Sequence, residues 1–199
     1  MTVRSEGARG TARERLLEAA DELFYDEGVR TVGIDRVIEH AGVAKASLYN
    51  TFGSKEALIR AYLDRRGTRT IDRITRHVER HDTPRERLLA VFDAQRELAA
   101  EQGFQGCAFV RANAEAHAGD QVEQASDQYR GWLRNLLTEL AEQAGAPDPV
   151  ILARKLLLLY DGGSLSARMD RDPTAYDVSR AAAETLLAAA LTDVAQPQL

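Results

Sequence analysis

Cysteine is nearly missing from this 199-residue chain, in which Cys107 stands alone. A single thiol excludes an intrachain disulfide and agrees with a reducing compartment. Aromatic residues make up only 6% of the sequence, and β-branched runs are missing, which leaves little from which to build strands. No stretch of about 18 apolar residues occurs; the apolar segment Ile151 to Tyr160 is interrupted by Arg154 and Lys155 and is too short to cross a bilayer. The amino terminus MTVRSEGARGTARER lacks the apolar core of a signal peptide, so the chain is expected to stay in the cytoplasm, away from membranes. Chemistry-bearing constellations are equally thin. His77 and His81 have metal-ligand spacing but no third Cys or His nearby, and they are read as solvated. His117 with Glu115 and Asp120 is no better as a ligand set. Asp161-Gly162-Gly163-Ser164 is not a G-x-S-x-G elbow, and no strand precedes it. Hence no metal, cofactor or catalytic residue is expected, and the chain is not read as an enzyme.

What is present is helical texture, rich in Ala, Leu, Glu and Arg. Thr11-Ala12-Arg13-Glu14 has the form of a capping box, opening a helix in which Leu16, Leu17, Ala20, Leu23 and Phe24 follow the helical period until Gly28. Thr83-Pro84, Asp148-Pro149 and Asp172-Pro173 each place a capping side chain before a proline, marking three more helix starts. The spacing predicts helices over 84–101, 107–117, 121–144, 149–169 and 173–193, after a connector running from Ser54 toward His81. The expected fold class is all-α. In helix 121–144 a single apolar stripe includes Tyr129, Trp132, Leu133, Leu136, Leu137 and Leu140. Leu156 to Leu159 with Tyr160 is apolar all round, so that helix is either central or meets a partner.

The most informative stretch is Thr31 to Lys55, TVGIDRVIEHAGVAKASLYNTFGSK. Val37 and Ile38 belong to a short helix, Ala41-Gly42-Val43 makes a tight turn, and Lys45 to Phe52 forms a second helix with Leu48 and Phe52 on one face. The opposite face offers Lys45, Ala46, Ser47, Tyr49, Asn50 and Thr51, groups suited to phosphates and base edges. With the run AGVAKASLYNTFGSKEAL and the preceding helix ARERLLEAADELFYDEG, residues from about Thr11 to about Leu63 resemble the tetracycline-repressor-like (TetR) family of transcriptional regulators. Two departures stand out: Gly33 where the family commonly has a capping Ser or Thr, and Ala46 where it usually has glycine.

The resemblance implies a helix-turn-helix domain over 1–63 that binds double-stranded DNA, followed by a helical ligand-binding and dimerisation domain over 64–199. Carried over residue by residue, it implies that Lys45, Ala46 and Ser47 face the groove. Tyr49 and Asn50 would touch phosphates or bases, Lys55 would touch a phosphate, and Val37, Val43, Leu48 and Phe52 would be core. It further implies a homodimer through the last two long helices, 149–169 and 173–193, reading a palindromic operator, with a small-molecule inducer held in the second domain. Phe92, Phe104, Phe109, Tyr129, Trp132 and Tyr160 are the candidate lining residues, although aromatics at helical spacing also serve as core. Cys107 is read as a buried, inert thiol in preference to the alternative of a redox sensor. A regulator answering to a protein partner, and an all-helical enzyme or interaction module with a vestigial helix-turn-helix, are the alternatives.

The net charge of −5 is unevenly spread. Residues 1–66 hold 11 Arg and Lys against 11 Asp and Glu, while residues 67–199 hold 15 against 20. The excess acid therefore lies in the second part. Arg4, Arg9, Arg13 and Arg15, with Lys45 and Lys55, leave room for a local basic face on a neutral domain.

Overall fold

Helix starts in this chain are written in side-chain oxygens. Thr11 accepts a hydrogen bond from the Glu14 amide while the Glu14 carboxylate accepts from the Thr11 amide, and Thr83 and Glu86 repeat the arrangement. Asp148 accepts from the Ile151 amide ahead of Pro149. Two donors left open by the first helical turn are satisfied in each reciprocal box, which stabilises the ends by about 1 kcal/mol per cap. The computed structural model describes residues 10–101, 103–117 and 119–192. Arg4 and Arg9 lie outside them. The described elements are all helices: α1 Ala12–Glu27, α2 Ile34–Ala41, α3 Lys45–Phe52, α4 Lys55–Val78, α5 Pro84–Ala99, α6 Ala108–Asn113, α7 Gln121–Gln143, α8 Pro149–Asp170 and α9 Thr174–Thr192. None is long and apolar enough to cross a membrane.

The chain gathers into two compact units. One runs to Arg66 and takes in Ala108–Ser126; the other is formed by Gly67–Cys107 and the chain from Asp127 onward. In the first, α1 packs on α2 and α3. Leu16, Ala20, Val37, Leu48, Leu58 and Leu63 are fully enclosed, and the rings of Phe24 and Tyr62 meet edge to face at 5.7 Å. Gly42 makes the α2–α3 turn possible: at φ 61° it sits in the left-handed region, where its amide closes back on the carbonyls of Ile38 and Glu39. The α6 helix is shorter than the 107–117 expected from the sequence. Its chain instead turns so that the Glu115 carboxylate accepts the Arg30 amide at 2.8 Å, and the Glu115 carbonyl accepts the Arg30 guanidinium.

In the second unit, α9 packs along α8 and α5. Leu88, Phe92, Leu133, Leu137, Leu156 and Leu187 fill the interior. Gly163 is a point of close approach, since a β-carbon there would lie 2.9 Å from Cβ of Ser179. Beside it the buried Gln95 amide donates to the Tyr160 carbonyl at 2.7 Å and to Ser164 Oγ at 2.9 Å, tying α5 to α8. His77 is not solvated as read from the sequence. Its ring pairs with Glu97 at 2.7 Å, and that contact draws the Glu97 carboxyl below the usual carboxylate range.

Candidate nucleic-acid interface

Recognition begins with how α3 is held. Leu48 is fully buried and fixes the helix to α1, a burial of roughly 1.5–3 kcal/mol, so the side chains on the other face have nowhere to go but outward. Lys45, Ala46, Tyr49 and Asn50 are exposed, Tyr49 at 47%, and Ser47 is half-buried. Thr51 turns its hydroxyl back to the Ser47 carbonyl at 2.6 Å. Val37 is core as expected, whereas Val43 and Phe52 are only half-buried. Val43 sits in the turn and Phe52 ends α3, where the Arg13 guanidinium lies 5.7 Å over its ring. A cation is thereby brought to the C-terminal end of α3. Arg15 donates to the Gly42 carbonyl at 3.2 Å, tying α1 to the turn.

The two helices of the motif differ at their starts from six of the other described helices. Side-chain oxygens of Thr11, Ser54, Thr83, Asp120, Asp148 and Asp172 cap the first turns of α1, α4, α5, α7, α8 and α9. By contrast, α2 and α3 start on Gly33 and Ala44 with no side-chain cap. Their first amides keep their donors for another acceptor, and a helix N-terminus carries partial positive charge that favours an anion. Gly33, read from the sequence as a departure that removes a side-chain contact, has this uncapped geometry.

Charge at the surface is largely self-neutralised. Lys45 donates to Asp35 at 2.7 Å, and that bond raises its pKa. Arg36 pairs with Glu27, and His40 with Glu22. Lys55, at the start of α4, is held differently: its ammonium lies 3.5 Å from the Arg30 carbonyl and 6.0 Å from the centre of the Phe24 ring, and burial pushes its pKa down. A cation at a helix N-terminus opposes the dipole, which a phosphate bound there would relieve. Asp35, which sequence reasoning does not single out, is thus the residue that holds Lys45. Its position in the first turn of α2, ten residues ahead of Lys45, gives no local hint of that pairing.

The aromatic candidates of the second part do not gather round one space. Phe104 lines an open cavity of about 580 Å³ with Tyr176, Arg168 and Arg171. Phe92, Tyr129 and Tyr160 form an interior cluster, the Phe92 and Tyr160 rings 6.1 Å apart and the two phenol oxygens 3.2 Å apart. Burial pushes both phenols up, so they stay protonated. Phe109 is buried within the unit that contains α3, and Trp132 is half-buried on α7. Cys107 is half-buried.

Comparison with known proteins agrees with this layout. The sequence profile of "Bacterial regulatory proteins, tetR family" matches residues 16–62. A solved TetR-family transcriptional regulator of Streptomyces coelicolor, SCO4454, superposes with a TM-score of 0.84 at 33% identity, covering 90% of this chain and 96% of that one. The transcriptional repressor NemR of Escherichia coli is 27% identical over 169 residues, 80% of this chain and 85% of NemR. The transcriptional activator FasR of Mycolicibacterium smegmatis is 35% identical over 86 residues, so this chain spans 39% of its length.

Proposed function

This chain belongs to the TetR family of helix-turn-helix, DNA-binding transcriptional regulators, and we propose that it works in the cytoplasm as a ligand-responsive dimeric repressor released from a palindromic operator by a small molecule. The observation that carries the DNA contacts is the pairing of an outward-facing α3 with two uncapped helix starts. Lys45, Ala46 and Ser47 enter the major groove, Tyr49 and Asn50 touch backbone or base edges, and the α2 and α3 amides with Lys55 receive phosphates. The reader spans 1–63, and 64–199 carries ligand and dimer contacts. Support for a dimer through α8 and α9 comes from apolar side chains left in solvent. Ile151, Leu158, Leu165 and Met169 recur along α8, Leu158 and Met169 each at 73% exposure, and Val178 is exposed on α9. A large unpartnered apolar face marks an interaction surface.

Two copies related by a two-fold axis read two half-sites about 34–36 Å apart. Selection from a random duplex pool is expected to return an inverted repeat with that spacing. Recovery of an unrepeated motif would overturn the dimeric reading.

Two substitutions separate the roles of the lysines. Lys55→Ala should flatten the plot of log K against log salt by about 0.9 for each phosphate no longer neutralised, once per subunit, with sequence preference unchanged. An unchanged slope removes Lys55 from the phosphate set. Asp35→Asn acts in the opposite direction. It frees Lys45 from an exposed, solvent-screened pair, so affinity in a DNA titration should rise a few-fold for all sequences, while α2 loses a favourable charge at its N-terminus. Tighter binding alongside slightly lower stability is the expected signature; weaker binding would mean that Asp35 positions Lys45 for DNA rather than competing for it.

A further inference from the structure

The cavity beside Phe104 holds an imbalance of charge. It lies within the unit formed by 67–107 and the chain from 127, with a volume of about 580 Å³, inside the range of roughly 300–1,000 Å³ typical of small-molecule sites. One part of its wall is apolar: Ala99, Ala167, Pro173, and the rings of Phe104 and Tyr176 meeting edge to face at 6.2 Å. The other part is Arg168 and Arg171, and among the described residues no carboxylate lines the space. Neither guanidinium has a carboxylate partner among the described residues. Of the neighbouring acids, Asp172 caps α9 through the Thr174 amide at 2.9 Å, and Asp170 and Asp172 line a separate groove with Leu158 and Val178.

Backbone geometry adds a second, independent sign. Arg171 is the one described non-glycine residue with positive φ, at 56°, where it ends α8 and its amide closes on the Ala167 carbonyl. Glycine takes that conformation without a steric penalty and a β-carbon does not. Strain of this kind is commonly kept where a side chain is needed. Arg168 runs beside Gly106, its Cδ 3.5 Å from where a β-carbon of that glycine would stand.

We propose that this cavity binds a small amphipathic organic anion, an aromatic or similarly flat apolar body carrying a carboxylate, with the ring against the apolar wall made by the Phe104–Tyr176 pair and the carboxylate on the forks of Arg168 and Arg171. The guanidinium plane matches a carboxylate in bidentate geometry. This assignment rests on the reading of the protein as ligand-responsive and names the chemistry of its ligand.

The test uses the full-length protein with 2-naphthoate as probe, its neutral amide as the ring-only control and acetate as the charge-only control, all followed by titration calorimetry without DNA. The acid should bind, the amide about 10- to 100-fold more weakly for want of its charge-assisted hydrogen bonds, and acetate weaker still. Arg168→Gln and Arg171→Gly should each weaken 2-naphthoate by about ten-fold or more. Arg171→Gly should do so without lowering the thermal midpoint, because glycine relieves the positive-φ strain; a merely structural arginine would change stability and leave binding alone. No binding of 2-naphthoate at millimolar concentration, equal binding of acid and amide, or full affinity in both arginine variants overturns the proposal. A parallel operator titration isolates the underlying reading: binding without DNA release upholds the cavity's chemistry and overturns ligand-controlled release.

Discussion

Glutamate at both Leu158 and Leu165 is expected to convert the protein to a monomer and to cut operator affinity by about 100-fold or more, the loss that follows when a second binding event is no longer intramolecular. Both side chains are solvent-exposed on α8 of the single protomer, at 73% and 50%. Each leucine buried across a two-fold interface is removed twice per dimer, so four burials of about 1.5–3 kcal/mol are lost, and four unpaired carboxylates are added to an apolar surface. Few homodimers withstand a change of that size. The protomer should survive it, because an exposed leucine contributes little to its own chain's fold. Sedimentation reads the oligomer, far-ultraviolet circular dichroism reads the fold, and an operator titration reads the function. A variant that stays dimeric would move the interface off this face of α8. A folded monomer with undiminished affinity would show that each reader works alone.

That face is legible in outline from the residues alone. Leu156 to Leu159 is apolar all round, and a helix of that kind needs a second surface; the structure buries Leu156 and Leu157 and leaves Leu158 in solvent. Capping chemistry is equally legible. Thr11, Thr83 and Asp148 mark their helices because a cap is a contact over three residues, and short contacts are written in short stretches of sequence. The Asp172-Pro173 signal also holds, with α9 beginning one residue later at Thr174.

What escapes the sequence is what depends on distant partners. Glu115 meets Arg30 across 85 residues, and nothing in either neighbourhood announces it, so the sequence alone makes α6 four residues too long at its end. Periodicity tells that Phe92, Tyr129 and Tyr160 face inward but not that they face one another, while Phe104 alone of the six candidates lines the cavity beside Arg168. The arginines of that cavity stay hidden for a related reason. Arg171-Asp172-Pro173 reads as a helix boundary, and a boundary explains the aspartate and the proline without asking what the arginine does.

Arg66 hides in the same way, as one more cation on a polar connector, and its removal should carry the largest stability cost of any charged residue in the first compact unit. Its guanidinium donates to both carboxylate oxygens of Asp21, at 2.7 and 3.0 Å, and lies 3.7 Å over the Tyr25 ring. The pair is mostly enclosed, with side chains 22% and 14% exposed. A fully exposed ion pair would matter little, whereas removing one member of a buried pair costs about 3–5 kcal/mol because the other charge is left without compensation. The partial exposure here puts Arg66→Ala near the lower end, about 3 kcal/mol. Arg66→Lys keeps the charge but loses the two-pronged geometry and the flat stacking surface, so roughly half that cost should remain. Removing both partners, in Asp21→Asn with Arg66→Ala, should cost less than the sum of the single changes, since no stranded carboxylate is left. The single tryptophan, Trp132, lies in the other compact unit, so its fluorescence follows that unit while circular dichroism follows both. A urea titration of Arg66→Ala is therefore expected to show the dichroism transition starting earlier, with the fluorescence transition less affected. A loss below about 0.5 kcal/mol, the range of ordinary surface substitutions, would reduce the Arg66–Asp21–Tyr25 cluster to a solvated ion pair.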